Sequence, residues 1–167
     1  MKILLLRHGE AVPERAAGSD ARRWLTKDGR DALRTVAAVA REQGVSLTQI
    51  YTSPLVRAVQ TAELLAHGLG YTGEIIVHNP LNNAPIARIL APLEAHEDGD
   101  TVALVGHNPA MNTLAGFLSG RRHFPGYPPG GLCLVEGDPG APATEFRWMI
   151  NPKTGERVTR IRDLMIF

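Results

Sequence analysis

The segment Lys2-Ile3-Leu4-Leu5-Leu6-Arg7-His8-Gly9-Glu10 opens the chain with an apolar run that stops abruptly at a cation, an imidazole and a glycine. A short unbroken apolar run of this kind reads as a strand buried on both faces, as in a parallel sheet covered by helices. A secretory leader needs an apolar core of about seven to fifteen residues. Here Ile3 to Leu6 supply four before Arg7 interrupts. Nor does any stretch approach the roughly 20 apolar residues of a membrane span. The run is therefore read as a strand, and the protein is expected in the cytoplasm.

Working outward, further strand-like runs lie at Gln49–Thr52, Glu74–Val77, Thr101–Gly106, Leu132–Glu136 and Glu145–Ile150. Helical patterns fall between the early ones. From Arg30 to Gln43 the residues Leu33, Val36, Ala37 and Ala40 form one stripe, with Gly44 as the stop. From Pro54 to Leu69 the stripe is Leu55, Val59, Ala62 and Leu65, ending at Gly68 or Gly70. A third helix is expected over Pro85–His96, kinked or split by Pro92, and a fourth begins at Pro109. Alternating strands and helices predict a single α/β domain over residues 1–167, with a mostly parallel sheet, helices on both faces and the late strands added at an edge.

Composition narrows the function. The 167 residues are 44% hydrophobic and 21% charged, as in a folded globular protein, and the net charge of +1 points to neither nucleic acid nor a membrane surface. The single cysteine, Cys133, lies in an apolar run and reads as a core residue; one thiol makes no internal disulfide, which fits a reducing compartment. No HExxH or CxxC pattern is present, and His67, His78, His96 and His123 are scattered, so they read as surface or loop residues and no metal or cofactor is expected.

Three strands run straight into polar residues: Arg7-His8-Gly9-Glu10, Thr52-Ser53-Pro54-Leu55-Val56-Arg57 and Gly106-His107-Asn108-Pro109. Open α/β sheets bind ligands beyond the carboxyl ends of their strands, so the three junctions should share one crevice. Ser53 and Asn108 are each expected to cap a helix whose first residue is proline, which would turn free N–H groups toward an anion. Arg7 and Arg57 offer planar forks suited to phosphate oxygens, while His8 and His107 offer a nucleophile and a donor. Each junction alone has an ordinary explanation as a turn or a cap. Three at strand ends are hard to explain by packing.

Arg7-His8-Gly9-Glu10 resembles the RHG signature of the histidine phosphatase superfamily, which includes phosphoglycerate mutases. The run Thr52-Ser53-Pro54-Leu55-Val56-Arg57-Ala58-Val59-Gln60-Thr61-Ala62 resembles its second motif. Gly106-His107-Asn108-Pro109 is similar to the GHNP run of the small SixA-type phosphohistidine phosphatases, and Asp20 to Gly29 is also similar, with Arg23-Trp24-Leu25-Thr26 in place of R-P-L-T. The likeness extends from Lys2 to about Leu118. It implies the phosphoglycerate mutase-like fold, His8 as nucleophile, and Arg7, Arg57 and His107 as the phosphoryl clamp, with Gly9 and Asn108 in the phosphate-binding set.

Members acting on ordinary phosphate esters carry a carboxylate after the third strand as general acid. Here that stretch, Asn79-Pro80-Leu81-Asn82-Asn83-Ala84-Pro85, has none, and Glu10 is the candidate substitute. General-acid help is worth about 10²–10⁴-fold, most of all for an alkoxide. A protonated phosphohistidine needs less, since it releases neutral imidazole, whose conjugate acid has a pKa of about 6.5. Only about thirty residues separate Leu69 from Thr101, so the cleft should be open enough for a phosphoprotein. The resemblance implies phosphohistidine on a signalling protein, such as a histidine phosphotransfer domain, as substrate. The alternatives are a phosphatase for small phosphomonoesters (a sugar phosphate or nucleotide) and a non-catalytic phosphate-binding adaptor. Arg121-Arg122-His123 reads as a solvated cluster or part of the cleft lining, and the segment from Ser119 to Gly131 carries no motif.

Overall fold

A computed structural model describes residues 1–140 and 144–166. Its centre is the opening apolar run. Strand β1 (Lys2–Arg7) lies inside a seven-stranded sheet of order β3-β2-β4-β1-β5-β6-β7. Strands β2 (Gln49–Thr52), β3 (Ile75–Val77) and β4 (Thr101–Gly106) join β1 in parallel, while β5 (Leu132–Glu136), β6 (Glu145–Ile150) and β7 (Arg157–Val158) extend the other side antiparallel. Six of these strands were legible as apolar runs; β7 was not, being only two residues long.

The alternation of β1 side chains explains why its run is unbroken. Ile3 and Leu5 enter one core with Leu104, Met111 and Leu114, while Leu4 and Leu6 enter the other with Leu33, Val36, Ala62 and Leu65. All four β1 residues are fully buried, and each such side chain contributes roughly 1.5–3 kcal/mol.

Helices α2 (Lys27–Glu42) and α3 (Val56–Leu69) cover the second face, with the expected stripe Leu33, Val36, Ala37 and Ala40 buried. Helix α2 begins earlier than its apolar pattern, because Thr26 caps it: Thr26 Oγ1 accepts the Gly29 N–H at 2.9 Å. Helix α3 ends at Gly70, whose φ of 66° is left-handed; Gly68 stays helical where the chain passes Ala37 too closely for a side chain. The third expected helix is split as Pro92 required, into α4 (Ile86–Leu90) and a 3-10 turn over Ala91–Ala95. Together with α5 (Ala110–Leu118) it covers the first face. The remaining short helix, α1 (Glu14–Ala17), lies in the segment between β1 and α2. Among the described residues no helix is long and apolar enough to cross a membrane.

Both expected proline-led caps are corrected. Helix α3 starts after Leu55 and α5 after Pro109, with Asn108–Pro109 a cis bond. The Ala110 N–H at the start of α5 donates instead to Asn83 Oδ1 at 3.1 Å. Ser53 and Asn108 are thereby released for contacts inside the crevice.

The segment between β1 and α2 folds back over the strand ends. Its hold on α2 is tight: a Cβ on Gly29 would run into the Glu10 backbone carbonyl, which accepts the Thr26 N–H at 3.0 Å. Alanine gains about 1 kcal/mol over glycine in helix propensity. A clash with rigid backbone outweighs that gain. Gly29→Ala is therefore expected to lower the unfolding free energy by on the order of 1–2 kcal/mol, read from the urea midpoint.

Candidate active site

Parallel pairing continues past the strands. Arg7 is in register with Gly106 and Thr52 with Val105; the His8 N–H then donates to Gly106 and the Ser53 N–H to Val105. His8, Ser53 and His107 consequently leave the sheet at one edge. The His8 and His107 ring centroids are 5.0 Å apart at 54°.

Each ring is oriented by a named partner. His8 Nδ1 lies 2.7 Å from the Gly9 carbonyl, which can only accept, so Nδ1 carries the proton and Nε2 is left with a lone pair. Arg57 Nε–H sits 3.4 Å from that Nε2. The rest of the Arg57 fork is held by Asp20: Nη1 donates to its carbonyl at 2.8 Å and Nη2 to its carboxylate at 3.2 Å. Ser53 Oγ lies 2.7 Å from His107 Nε2. Arg7 Nη1 and Asn108 Nδ2 both donate to the Tyr127 carbonyl, at 2.7 and 3.2 Å, and the Tyr127 hydroxyl donates to the Leu5 carbonyl at 2.5 Å.

Three buried polar atoms of this group have no partner among the described residues: Arg7 Nε, His107 Nδ1 and Asn108 Oδ1. Buried polar groups are almost always paired, so a cluster of orphans marks a place built for something else to bind. Two of the three sit on groups that can donate, which suits an anion.

The charges explain the protonation states. Burial, with His8 8% exposed, pushes its pKa down to about 4; Arg57, Arg7 and Arg23 add to this, and the Gly9 bond opposes it. Burial likewise takes His107, 3% exposed, down to about 3, helped by His8, Arg57 and Arg7 and opposed by Asp20. Burial lowers Arg7 from its ordinary value as well. Burial works against ionisation of Asp20, but Arg23 and Arg57 hold its carboxyl below the usual value. Both imidazoles are thus neutral at pH 7, and Asp20 is a carboxylate.

Of the sequence candidates, Arg7, His8, Arg57 and His107 come together. Gly9 does not face an anion with its amide: that N–H donates to Thr61 Oγ1 at 3.1 Å, and a side chain there would strike Leu33. Thr61 in turn donates to the Arg57 carbonyl, tying the first strand end to the second motif. Glu10 is exposed and its carboxylate bonds none of the four. Asn83, in the stretch without a carboxylate, is turned to α5. Arg121, Arg122 and His123 are exposed, and the Arg121 N–H donates to Gly116 near the far end of α5, so they are solvated.

Cys133 is buried, and burial pushes its thiol up, as expected of a core residue. His67 is exposed and half-buried His78 donates to the Arg88 carbonyl. His96 is a correction to the surface reading: its side chain is 12% exposed and is held between the Tyr51 hydroxyl and Asp100. Among the described residues no group of three His, Cys, Asp or Glu side chains is arranged to hold a metal.

Sequence reasoning missed two residues. Asp20 lay in a stretch already noted for its similarity, but nothing local says that its carboxylate turns to Arg57. Tyr127 acts through its backbone carbonyl, which leaves no mark in side-chain type.

The profile of the histidine phosphatase superfamily (branch 1) matches residues 3–86. The phosphohistidine phosphatase SixA of Escherichia coli (strain K12) is 28% identical over 155 residues, 91% of this chain and 94% of that protein. An uncharacterized protein of Picosynechococcus sp. is 32% identical over 117 residues, 69% of this chain and 71% of its own length. A solved structure of the protein histidine phosphatase SixA complexed with tungstate superimposes with a TM-score of 0.84 at 26% identity, covering 93% of this chain and 100% of that one.

The buried histidines make stability depend on pH. Their folded pKa values, about 4 and about 3, lie below the ordinary 6.5, so between these limits the unfolded chain binds more protons. The contribution is fully present above pH 6.5 and is lost as pH falls toward 4 and below. The unfolding free energy should therefore drop steadily below pH 6.5, and His107→Ala should flatten that slope in urea titrations taken across the range.

Proposed function

Since the chain belongs to the histidine phosphatase superfamily, we propose that it is a metal-independent phosphatase that carries the phosphoryl group on His8 and acts on phosphohistidine in a phosphoprotein. The observation that carries this reading is the pair of buried nitrogens without a partner among the described residues, Arg7 Nε and His107 Nδ1, beside a neutral His8 whose Nε2 lone pair meets only a long 3.4 Å contact from Arg57 Nε–H.

In the first step His8 Nε2 attacks phosphorus and the bond from phosphorus to the substrate nitrogen breaks. Its electrons return to the leaving imidazole, which departs neutral because its other nitrogen keeps a proton. Guanidinium N–H groups of Arg7 and Arg57 neutralise charge on the equatorial oxygens, and the neutral His107 ring donates a hydrogen bond to one of them. The Gly9 carbonyl favours a proton on His8 Nδ1, so phospho-His8 is a phosphoimidazolium. Water then attacks phosphorus, the P–N bond breaks, and His8 is released as the same neutral imidazole it began as.

The choice of phosphohistidine rests on the leaving group. Among the described residues, Asp20 is the carboxylate that bonds one of the four site side chains, Arg57, and its two arginine neighbours keep it ionised. An ionised carboxylate is no proton donor for an alkoxide. The similarity to SixA over most of the chain supports the same choice.

Rapid quenching with labelled phosphohistidine peptide should trap acid-labile, base-stable phosphate on His8, and His8→Ala should abolish turnover while keeping the fold. Substantial turnover by the alanine variant would falsify the nucleophile. Excess EDTA should leave the rate unchanged. Phosphohistidine and activated aryl phosphates should react about 10²–10⁴-fold faster than glycerol phosphate, the factor a general acid usually supplies. Equal rates with phosphoryl transfer limiting would favour a small-phosphoester phosphatase instead.

A further inference from the structure

We infer that Ser53 is a positioning residue that sets the tautomer of His107, its hydroxyl donating to Nε2 so that the ring proton stands on Nδ1 as a donor to a phosphoryl oxygen. The inference rests on the phosphatase reading for what Nδ1 meets, and on hydrogen-bond accounting for the tautomer itself.

A serine hydroxyl has one proton to give and two lone pairs to receive with. Ser53 is fully buried. Its Oγ accepts the Leu55 N–H at 3.3 Å, and its other partner among the described residues is His107 Nε2 at 2.7 Å. If Nε2 carried the ring proton, the Ser53 hydroxyl would have no acceptor and His107 Nδ1 would be a buried bare lone pair. Both would then be unsatisfied. With the proton on Nδ1, the Ser53 proton is used and one N–H is left over. That leftover atom is the partnerless Nδ1. A phosphoryl oxygen, which only accepts, is complementary to Nδ1–H and repelled by a bare Nδ1.

The surroundings favour a neutral ring. His8 faces it at 5.0 Å between centroids, Arg57 and Arg7 add positive charge, and Asp20 opposes them. A second proton on Nε2 would also leave the Ser53 hydroxyl without an acceptor. His107 is then a fixed donor, and it does not hand a proton to the leaving group. This role accounts for the serine near the start of the second motif, which caps no helix.

The test reads the ring nitrogens directly. With protein labelled by ¹⁵N-histidine at neutral pH, long-range ring correlations should show His107 protonated on Nδ1 and bare on Nε2. Ser53→Ala should move the population toward Nε2–H and weaken inorganic phosphate, followed by calorimetry, by about tenfold, the scale of one lost charge-assisted hydrogen bond. A wild-type ring protonated on Nε2, or doubly protonated, would overturn the assignment. So would a Ser53→Ala protein with an unchanged tautomer, or with an altered tautomer and unchanged phosphate affinity. A protein that shows the Nδ1–H tautomer and binds phosphate, yet forms no phospho-His8, would support Ser53 and remove the phosphatase reading.

Discussion

Everything at the site depends on the register of β1 between β4, its parallel neighbour, and β5, its antiparallel one. Arg7 lies opposite Gly106, and the ladder runs one bond further, from His8 to the Gly106 carbonyl. A slip of one residue would turn every β1 side chain to the opposite face. Leu4 and Leu6 would trade cores with Ile3 and Leu5, and His8 would lose its place beside His107. The register is enforced by burial on both faces, so the same apolar contacts that stabilise the sheet also set the spacing of the two imidazoles.

The price of this arrangement is electrostatic. Arg7 and Arg57 converge on two imidazoles that burial has already driven toward the neutral form. Asp20 relieves part of the repulsion by holding one fork of Arg57, from a side chain that is itself 54% exposed. A phosphoryl group would relieve more, since it brings negative charge and acceptor oxygens to donors that have neither. Binding and chemistry therefore draw on the same imbalance. Stability is given up at the site so that the transition state can regain it.

The arrangement is braced from two sides by segments that are neither strand nor long helix. On one side, residues 9–26 bring Asp20 to Arg57 and pin themselves to α3 through the Leu25 N–H on Gln60 Oε1. On the other, residues 119–131 cross the strand ends; Gly130 donates to the Arg7 and His8 carbonyls, and Tyr127 holds Arg7 and Asn108 with one carbonyl. Asn112 on α5 secures that second segment through the carbonyls of Phe124 and Pro125.

By itself the sequence determined the layered sheet, six of its strands, the buried stripe of α2 and the strand ends that meet, whereas the stripe expected on α3 was half right: Ala62 and Leu65 are buried, but Ala58, Thr61 and Ala66 take the places expected of Leu55 and Val59. These are local: period-2 and period-3.6 burial patterns, and polar residues that interrupt them, are written in neighbouring positions. The four convergent side chains were legible for the same reason, each standing at or next to the end of a recognisable element. The tertiary structure alone decided what those side chains hold. Ser53 and Asn108 looked like caps, since Ser-Pro and Asn-Pro are ordinary cap pairs, yet their partners lie 54 and 19 residues away. Gly9 looked like part of an anion loop, but its amide belongs to Thr61, 52 residues on. Asp20 reaches Arg57 across 37 residues, and Tyr127 reaches Arg7 across 120. A hydrogen bond over such separations exists only after the chain has packed, because folding, and not local preference, brings its two ends within hydrogen-bonding distance of each other.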